Sequence, residues 1–132
     1  MNKKGLFLSL SDKWNTPRSL FKELHAEFKF NFDPCPPNPK FDGLQIEWKS
    51  SNFCNPPFSK IAYWVAKGFL ESRKGKTVVM LIPSRTDTIW WHDYVMQATE
   101  IRFLKGRLKF QNGEKIGRAP FPSAVVVFNH VT

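Results

Sequence analysis

Lys76-Thr77-Val78-Val79-Met80-Leu81-Ile82 is almost unbroken apolar and β-branched sequence, and it stops at Pro83-Ser84-Arg85-Thr86-Asp87-Thr88. A strand reads this way when helices cover both faces of its sheet, as in a parallel α/β architecture. Outward from it, Ile61, Trp64, Val65, Gly68 and Phe69 share one face of a helix expected over 60–72. Trp90, Trp91, Tyr94 and Val95 mark another over 89–98. Upstream, Leu20, Phe21, Leu24 and Phe28 repeat at helical spacing. Phe28-Lys29-Phe30-Asn31-Phe32-Asp33 alternates as a strand does, and Ser50 to Cys54 is a second strand-like run. Lys105 to Phe110 reads as a strand before a glycine turn, and Pro122 to Phe128 as a last buried strand. This order predicts a small three-layer α/β sheet, mostly parallel, with an antiparallel edge and helices on both faces.

At 132 residues the chain has the size of one domain, expected over 12–132 behind a flexible arm at 1–11. No run approaches the roughly 18 apolar residues of a membrane span. The first ten residues are too short for a signal peptide, so the expected location is the cytoplasm. Cys35 and Cys54 are the only cysteines. In such a setting they are expected to pack as small apolar groups near a site, without a disulfide. Their spacing to His25 or His92 matches no metal-ligand pattern, and no metal is expected.

Twenty Lys and Arg against eleven Asp and Glu give a net charge of +9. A single domain that basic points to a polyanionic partner. Arg102, Lys105, Arg107, Lys109, Lys115 and Arg118 crowd one region in which Glu114 is the only acid. Phe103, Phe110 and Phe121 interleave with these cations, a pattern suited to nucleic acid. Arg85 and Asp87 either pair to hold two loops in register or reach a substrate.

Three places look built for chemistry. Asn55-Pro56-Pro57-Phe58 follows a strand, and its two prolines fix φ and remove two donors. The result is a rigid loop at a strand's carboxyl end, the edge where open α/β sheets bind ligands. The Asn55 oxygen and the Pro56 carbonyl can accept both protons of an amino group, and Phe58 offers a face to a flat ring. The exocyclic amine of adenine fits that toolkit; a plain proline turn is the simpler reading. Thr16-Pro17 reads as an N-cap and first helical residue, and it aims free N–H groups at a carboxylate. Asp33, at a strand's carboxyl end, either holds an ammonium or caps an Asx turn.

The signals also come in a characteristic order. Trp14-Asn15-Thr16-Pro17, Asp33-Pro34-Cys35, Asn55-Pro56-Pro57-Phe58, Leu81 to Asp87, Phe103 to Phe110 and Ala119 to Ser123 follow one another along the chain. Together they resemble the phage-type (Dam-like) DNA N(6)-adenine methyltransferase family over residues 12–130. The resemblance implies a minimal Rossmann-like sheet, S-adenosylmethionine as cofactor and DNA as partner. It also implies methyl transfer to the exocyclic amine of adenine, in a host cell's cytoplasm for a phage-encoded enzyme. It assigns Trp14, Thr16, Pro17, Asp33, Pro34 and Cys35 to the cofactor, and Asn55, Pro56, Pro57 and Phe58 to the amine and its flipped base. Arg85, Lys105, Arg107, Lys109, Phe110, Lys115 and Arg118 fall to DNA, with Phe110 against the target base. Asp33 to Asn38 holds no glycine where methyltransferases carry a glycine-rich turn, and the short span from Asp33 to Asn55 leaves the usual ribose-binding acid without its counterpart, with Asp42 or Glu47 as candidates. So small a chain does not readily enclose a duplex, so a homodimer is an expectation too. Two alternatives stay open: a non-catalytic basic DNA-binding protein on a degenerate scaffold, and a methyltransferase acting on RNA or a glutamine amide.

Overall fold

The computed structural model describes residues 15–112 and 115–129. The expected arm and Trp14 lie outside the described residues, as do the side chains of Phe110 and Lys115. The chain forms α1 (Arg18–Phe28), β1 (Ser51–Cys54), α2 (Ile61–Ser72), β2 (Thr77–Pro83) and α3 (Ile89–Asp93). Then come β3 (Glu100–Phe103), β4 (Lys109–Asn112), β5 (Lys115–Arg118) and β6 (Ser123–Asn129). Short 3₁₀ turns precede α2 at Phe58–Lys60 and follow α3 at Val95–Gln97.

One sheet has the order β1-β2-β6-β3, and a separate hairpin pairs β4 with β5. β1 and β2 are parallel, with Phe53 opposite Val79. β6 runs antiparallel to both β2 and β3. The sheet is therefore mixed rather than mostly parallel. Burial on both faces gives β6 its run Ala124-Val125-Val126-Val127-Phe128 whichever way it points, so its composition does not report direction. β3 is a strand that sequence reading left out. Its four residues alternate and half of them are charged, Glu100 and Arg102, so they give no apolar run.

The pleat sorts the core into two layers. Val78, Met80, Ile82, Ala124, Val126 and Phe128 face Trp64 and Val65 of α2, Trp91 of α3 and Val95 just after it. Val79, Leu81, Val125 and Val127 face Leu24, Leu20 and Phe28 of α1. Helices thus cover both faces, and each fully buried aliphatic side chain contributes roughly 1.5–3 kcal/mol. Gly68 lets α2 approach closely: a Cβ there would lie 2.8 Å from the Met80 sulfur.

The strand expected over 28–33 reduces to one parallel bridge, Phe32 to Asn52. The Phe53 N–H donates to the Phe32 carbonyl at 3.1 Å, which seats Asp33-Pro34-Cys35 beside the end of β1.

The connector between that loop and β1 is pinned in two places. The Trp48 N–H donates to Glu71 Oε1 at 2.6 Å and the Trp48 indole N–H to the Gly43 carbonyl at 2.7 Å. Lys76 Nζ bridges the Trp48 carbonyl and Glu71 Oε1 at 2.6 and 2.7 Å, and Lys74 Nζ donates to Glu71 Oε2 at 2.7 Å. Gly43 itself lies against the Asp33–Asn38 loop, where a Cβ would fall 1.9 Å from the Pro34 carbonyl oxygen and 2.8 Å from the Trp64 ring. The backbone oxygen cannot yield. Gly43→Ala should therefore cost about 1–3 kcal/mol in urea unfolding, the range for overpacking. An unchanged midpoint would show that the connector does not press on this loop.

Candidate active site

The carboxyl ends of β1 and β2 and the loop after the Phe32 bridge lie along one edge of the sheet. There Asn55 is buried, 7% exposed, and its Nδ2 donates to Thr16 Oγ1 at 3.1 Å. A planar carboxamide held by its nitrogen carries its oxygen on the opposite side, so this bond orients the acceptor. Pro56 is buried, and Pro57 is extended at φ −66° and ψ 144°. Pro57 thus has the φ that its ring dictates. Half-buried Phe58 meets Phe121 edge-to-face, with ring centroids 5.0 Å apart at 90°. Phe121 braces the aromatic of the loop, a role that sequence reading did not assign. Its signal was present in Ala119-Pro120-Phe121-Pro122-Ser123.

Thr16 does not cap a helix. α1 begins after Pro17, which serves as N-cap and has no side-chain acceptor to cap the first turn, while the Thr16 hydroxyl accepts from Asn55. Thr16 is joined to the site more directly than an N-cap would be. Asp33 takes the Asx-turn role, accepting from the Cys35 N–H at 2.8 Å, while its residue remains exposed at the cleft.

Two depressions flank the Asn55 loop. On the α1 side, a recess of about 60 Å³ lined by Thr16, Asp33, Cys35 and Asn55 adjoins a basin of about 330 Å³ that adds Arg18 and Phe21. On the α2 side lies a pocket of about 420 Å³ walled by Pro34, Phe41, Leu44, Pro57 and Trp64, with Asp42 among its polar groups. Cys35 lines both sides. Both larger hollows fall in the roughly 300–1,000 Å³ range of small-molecule sites. Cys35 and Cys54 are buried in the core cluster on the α2 side. The 420 Å³ pocket was not foreseen, since its walls come from a connector without periodicity.

The cations divide into two groups. Arg102, counted in the basic region, is engaged on the α1 face. It forms a two-pronged contact with Glu27 at 2.7 and 2.5 Å, pairs with Glu100 and lies over the Phe28 ring. By contrast Arg85, Lys105, Arg107, Lys109 and Arg118 are exposed, and none forms an ion pair among the described residues. Arg85 and Asp87 do not pair. The 84–88 loop is instead shaped by Thr88, whose hydroxyl donates to the Arg85 carbonyl at 2.7 Å. Lys109 stands directly opposite Arg118 across the β4–β5 hairpin, an arrangement that costs free energy unless an anion relieves it.

The family model for DNA N-6-adenine-methyltransferase (Dam) matches residues 5–130. The chain belongs to the Dam family. A DNA N-6-adenine-methyltransferase of Haemophilus phage HP1 is 29% identical over 147 residues, covering 97% of this chain and 84% of the phage protein. No solved structure matches. Among the described residues no helix is long and apolar enough to cross a membrane, and no cluster of His, Cys, Asp and Glu could hold a metal ion.

Proposed function

We propose that the protein transfers a methyl group from S-adenosylmethionine to the exocyclic amine of adenine in DNA. The observation that carries the proposal is Asn55 at the cleft, buried, oriented by Thr16 and followed by two prolines that stiffen its loop. The parallel β1–β2 pair, the Phe32 bridge beside it and helices on both faces support reading the sheet as a shortened Rossmann-like methyltransferase sheet.

The residues around Asn55 fit the cofactor's chemistry. A carboxylate suits the start of α1, where no side chain caps the first turn and Arg18 stands beside Thr16. An ammonium suits Asp33. A flat base and ribose suit the pocket on the other side, with apolar walls and Asp42 for the hydroxyls. Glu47 is the weaker choice for the ribose, because it is paired with Lys76 at 3.3 Å and lies off the pocket. Pro34 and Cys35 form the partition between the two parts.

When bound, the cofactor supplies a methyl group already activated on a sulfonium. The chain's own residues then position the nucleophile. The Asn55 oxygen and the Pro56 carbonyl accept hydrogen bonds from the two amine N–H groups, draw the nitrogen toward tetrahedral geometry and free its lone pair; the methylated nitrogen then loses one proton to solvent. These bonds strengthen as charge develops, so they favour the transition state over the ground state. Phe58, braced by Phe121, stacks on the flipped base. Arg85, Lys105, Arg107, Lys109 and Arg118, with Lys115 and Phe110 of the hairpin, hold the DNA backbone.

Methylation-sensitive digestion of DNA from cells expressing the protein tests the reaction. Protection at sites cut only when adenine is unmethylated is expected, and full cutting by every such enzyme contradicts the reading. For the cofactor, Asp42→Asn should weaken S-adenosylhomocysteine binding about tenfold in calorimetry, the loss of one charge-assisted hydrogen bond. Unchanged affinity would remove Asp42 from the site.

A further inference from the structure

Two of the large apolar side chains most open to water stand near the basic edge. Ile89, the first residue of α3, is 81% exposed, and Phe103, the last of β3, is 64% exposed. Exposed apolar residues scattered singly need no explanation. The setting of these two does. Phe103 stacks against buried Trp91 with centroids 6.2 Å apart, so its ring is fixed from behind. It directly precedes the stretch carrying Lys105 and Arg107, and Ile89 follows the loop carrying Arg85. Both stretches are tied to one place: the Leu104 N–H donates to the Ser123 carbonyl at 3.0 Å and the Ser84 N–H to the Pro122 carbonyl at 2.9 Å.

β3 runs parallel to β2, since both are antiparallel to β6, so Phe103 ends at the same edge of the sheet as Asn55. β1 and β3 are three strand spacings apart, about 14 Å. That separation equals about four base steps of duplex.

Resting on the DNA reading above, we propose that Phe103, backed by Trp91, is an apolar prong that packs on deoxyribose and groove-edge surface of DNA. Its contact lies about four base steps from the methylated adenine. Charge selects the occupant: an exposed ring next to Lys105 and Arg107, which form no ion pair among the described residues, disfavours a basic protein such as a second copy of this chain and suits a polyanion whose sugars offer apolar faces. The cations supply salt-dependent affinity; the prong supplies affinity that salt does not screen.

Fluorescence anisotropy with a labelled duplex of about 20 base pairs, over a range of salt concentrations, separates these contributions. Phe103→Ala should weaken binding about tenfold, the order of one aromatic side chain's lost apolar burial, with the salt slope unchanged. Phe103→Tyr should restore it. Arg107→Ala should lower affinity and reduce the slope by about one. Because Phe103 is remote from the cofactor hollows, S-adenosylhomocysteine affinity of Phe103→Ala should equal that of the unaltered protein. Equal DNA affinity for Phe103→Ala and the unaltered protein overturns the prong while leaving the methyltransferase reading intact. So does sedimentation showing that the substitution dissociates a dimer without altering DNA affinity per chain. Absence of DNA binding by the unaltered protein overturns both.

Discussion

Asn55→Ala should lower methyl transfer to DNA by about 10²–10³-fold while leaving S-adenosylhomocysteine affinity within a few-fold of the unaltered value. The magnitude is that of deleting one preorganised hydrogen bond to developing charge. Preorganisation is visible in the structure: the side chain is buried, its nitrogen is spent on Thr16 at 3.1 Å, and its loop is fixed by Pro56 and Pro57. A free carboxamide in water would have to be ordered at each turnover; this one is ordered by folding. Asn55→Asp separates loss of the acceptor from loss of packing. It keeps an acceptor oxygen at nearly the same volume, so it should retain more activity than Asn55→Ala. Equal, severe loss in both with normal unfolding midpoints would mean that Asn55 acts through its nitrogen.

The second large effect concerns stability. Glu71 is 1% exposed and receives hydrogen bonds from the Trp48 N–H, Lys74 and Lys76, with Lys67 at 3.5 Å. Burial alone would raise its pKa. The bonds from Lys74, Lys76 and the Trp48 N–H, with the charge of Lys67, outweigh burial and hold it at about 2 against an ordinary 4.5. The native state therefore keeps Glu71 charged where an unfolded chain would protonate it. Its contribution is present above pH 4.5 and is lost as pH falls from 4.5 toward 2, on the order of 3 kcal/mol in all. Glu71→Ala should cost about 3 kcal/mol near neutral pH, as expected when one member of a buried charged cluster is removed. Urea unfolding at a series of pH values checks both points. The gap between Glu71→Ala and the unaltered protein should narrow steadily below pH 4.5, and a gap independent of pH would contradict the assignment. Because Glu71 fastens the connector that walls the 420 Å³ pocket, the same substitution should also weaken S-adenosylhomocysteine binding.

What the sequence discloses depends on how local the governing physics is. The face of α2, the buried run of β2 and the extended backbone at Pro57 follow from spacing and proline stereochemistry, and the structure has them. The direction of β6 does not, because a strand buried on both faces looks the same either way. β3 escaped notice since Glu100 and Arg102 interrupt its apolar residues. Its place before Pro17 makes Thr16 look like a helix cap, whereas its partner stands 39 residues away. Gly43 shows most plainly what local reading misses. No glycine follows Asp33, yet a glycine ten positions along the chain passes close to the Pro34 carbonyl, a contact that only the folded chain makes. Arg102 counts as one more cation until Glu27 and Glu100 are seen on it.

The most direct measurement is chemical. Purified protein is incubated with DNA and methyl-labelled S-adenosylmethionine, and the DNA is digested to nucleosides and resolved by mass spectrometry. A site in which Asn55 and Pro56 accept hydrogen bonds from both N–H groups of an adenine amine yields label in N6-methyldeoxyadenosine, and Asn55→Ala slows its appearance by about 10²–10³-fold. Label on another nucleoside, or none while S-adenosylmethionine binds normally, would contradict that site's assignment.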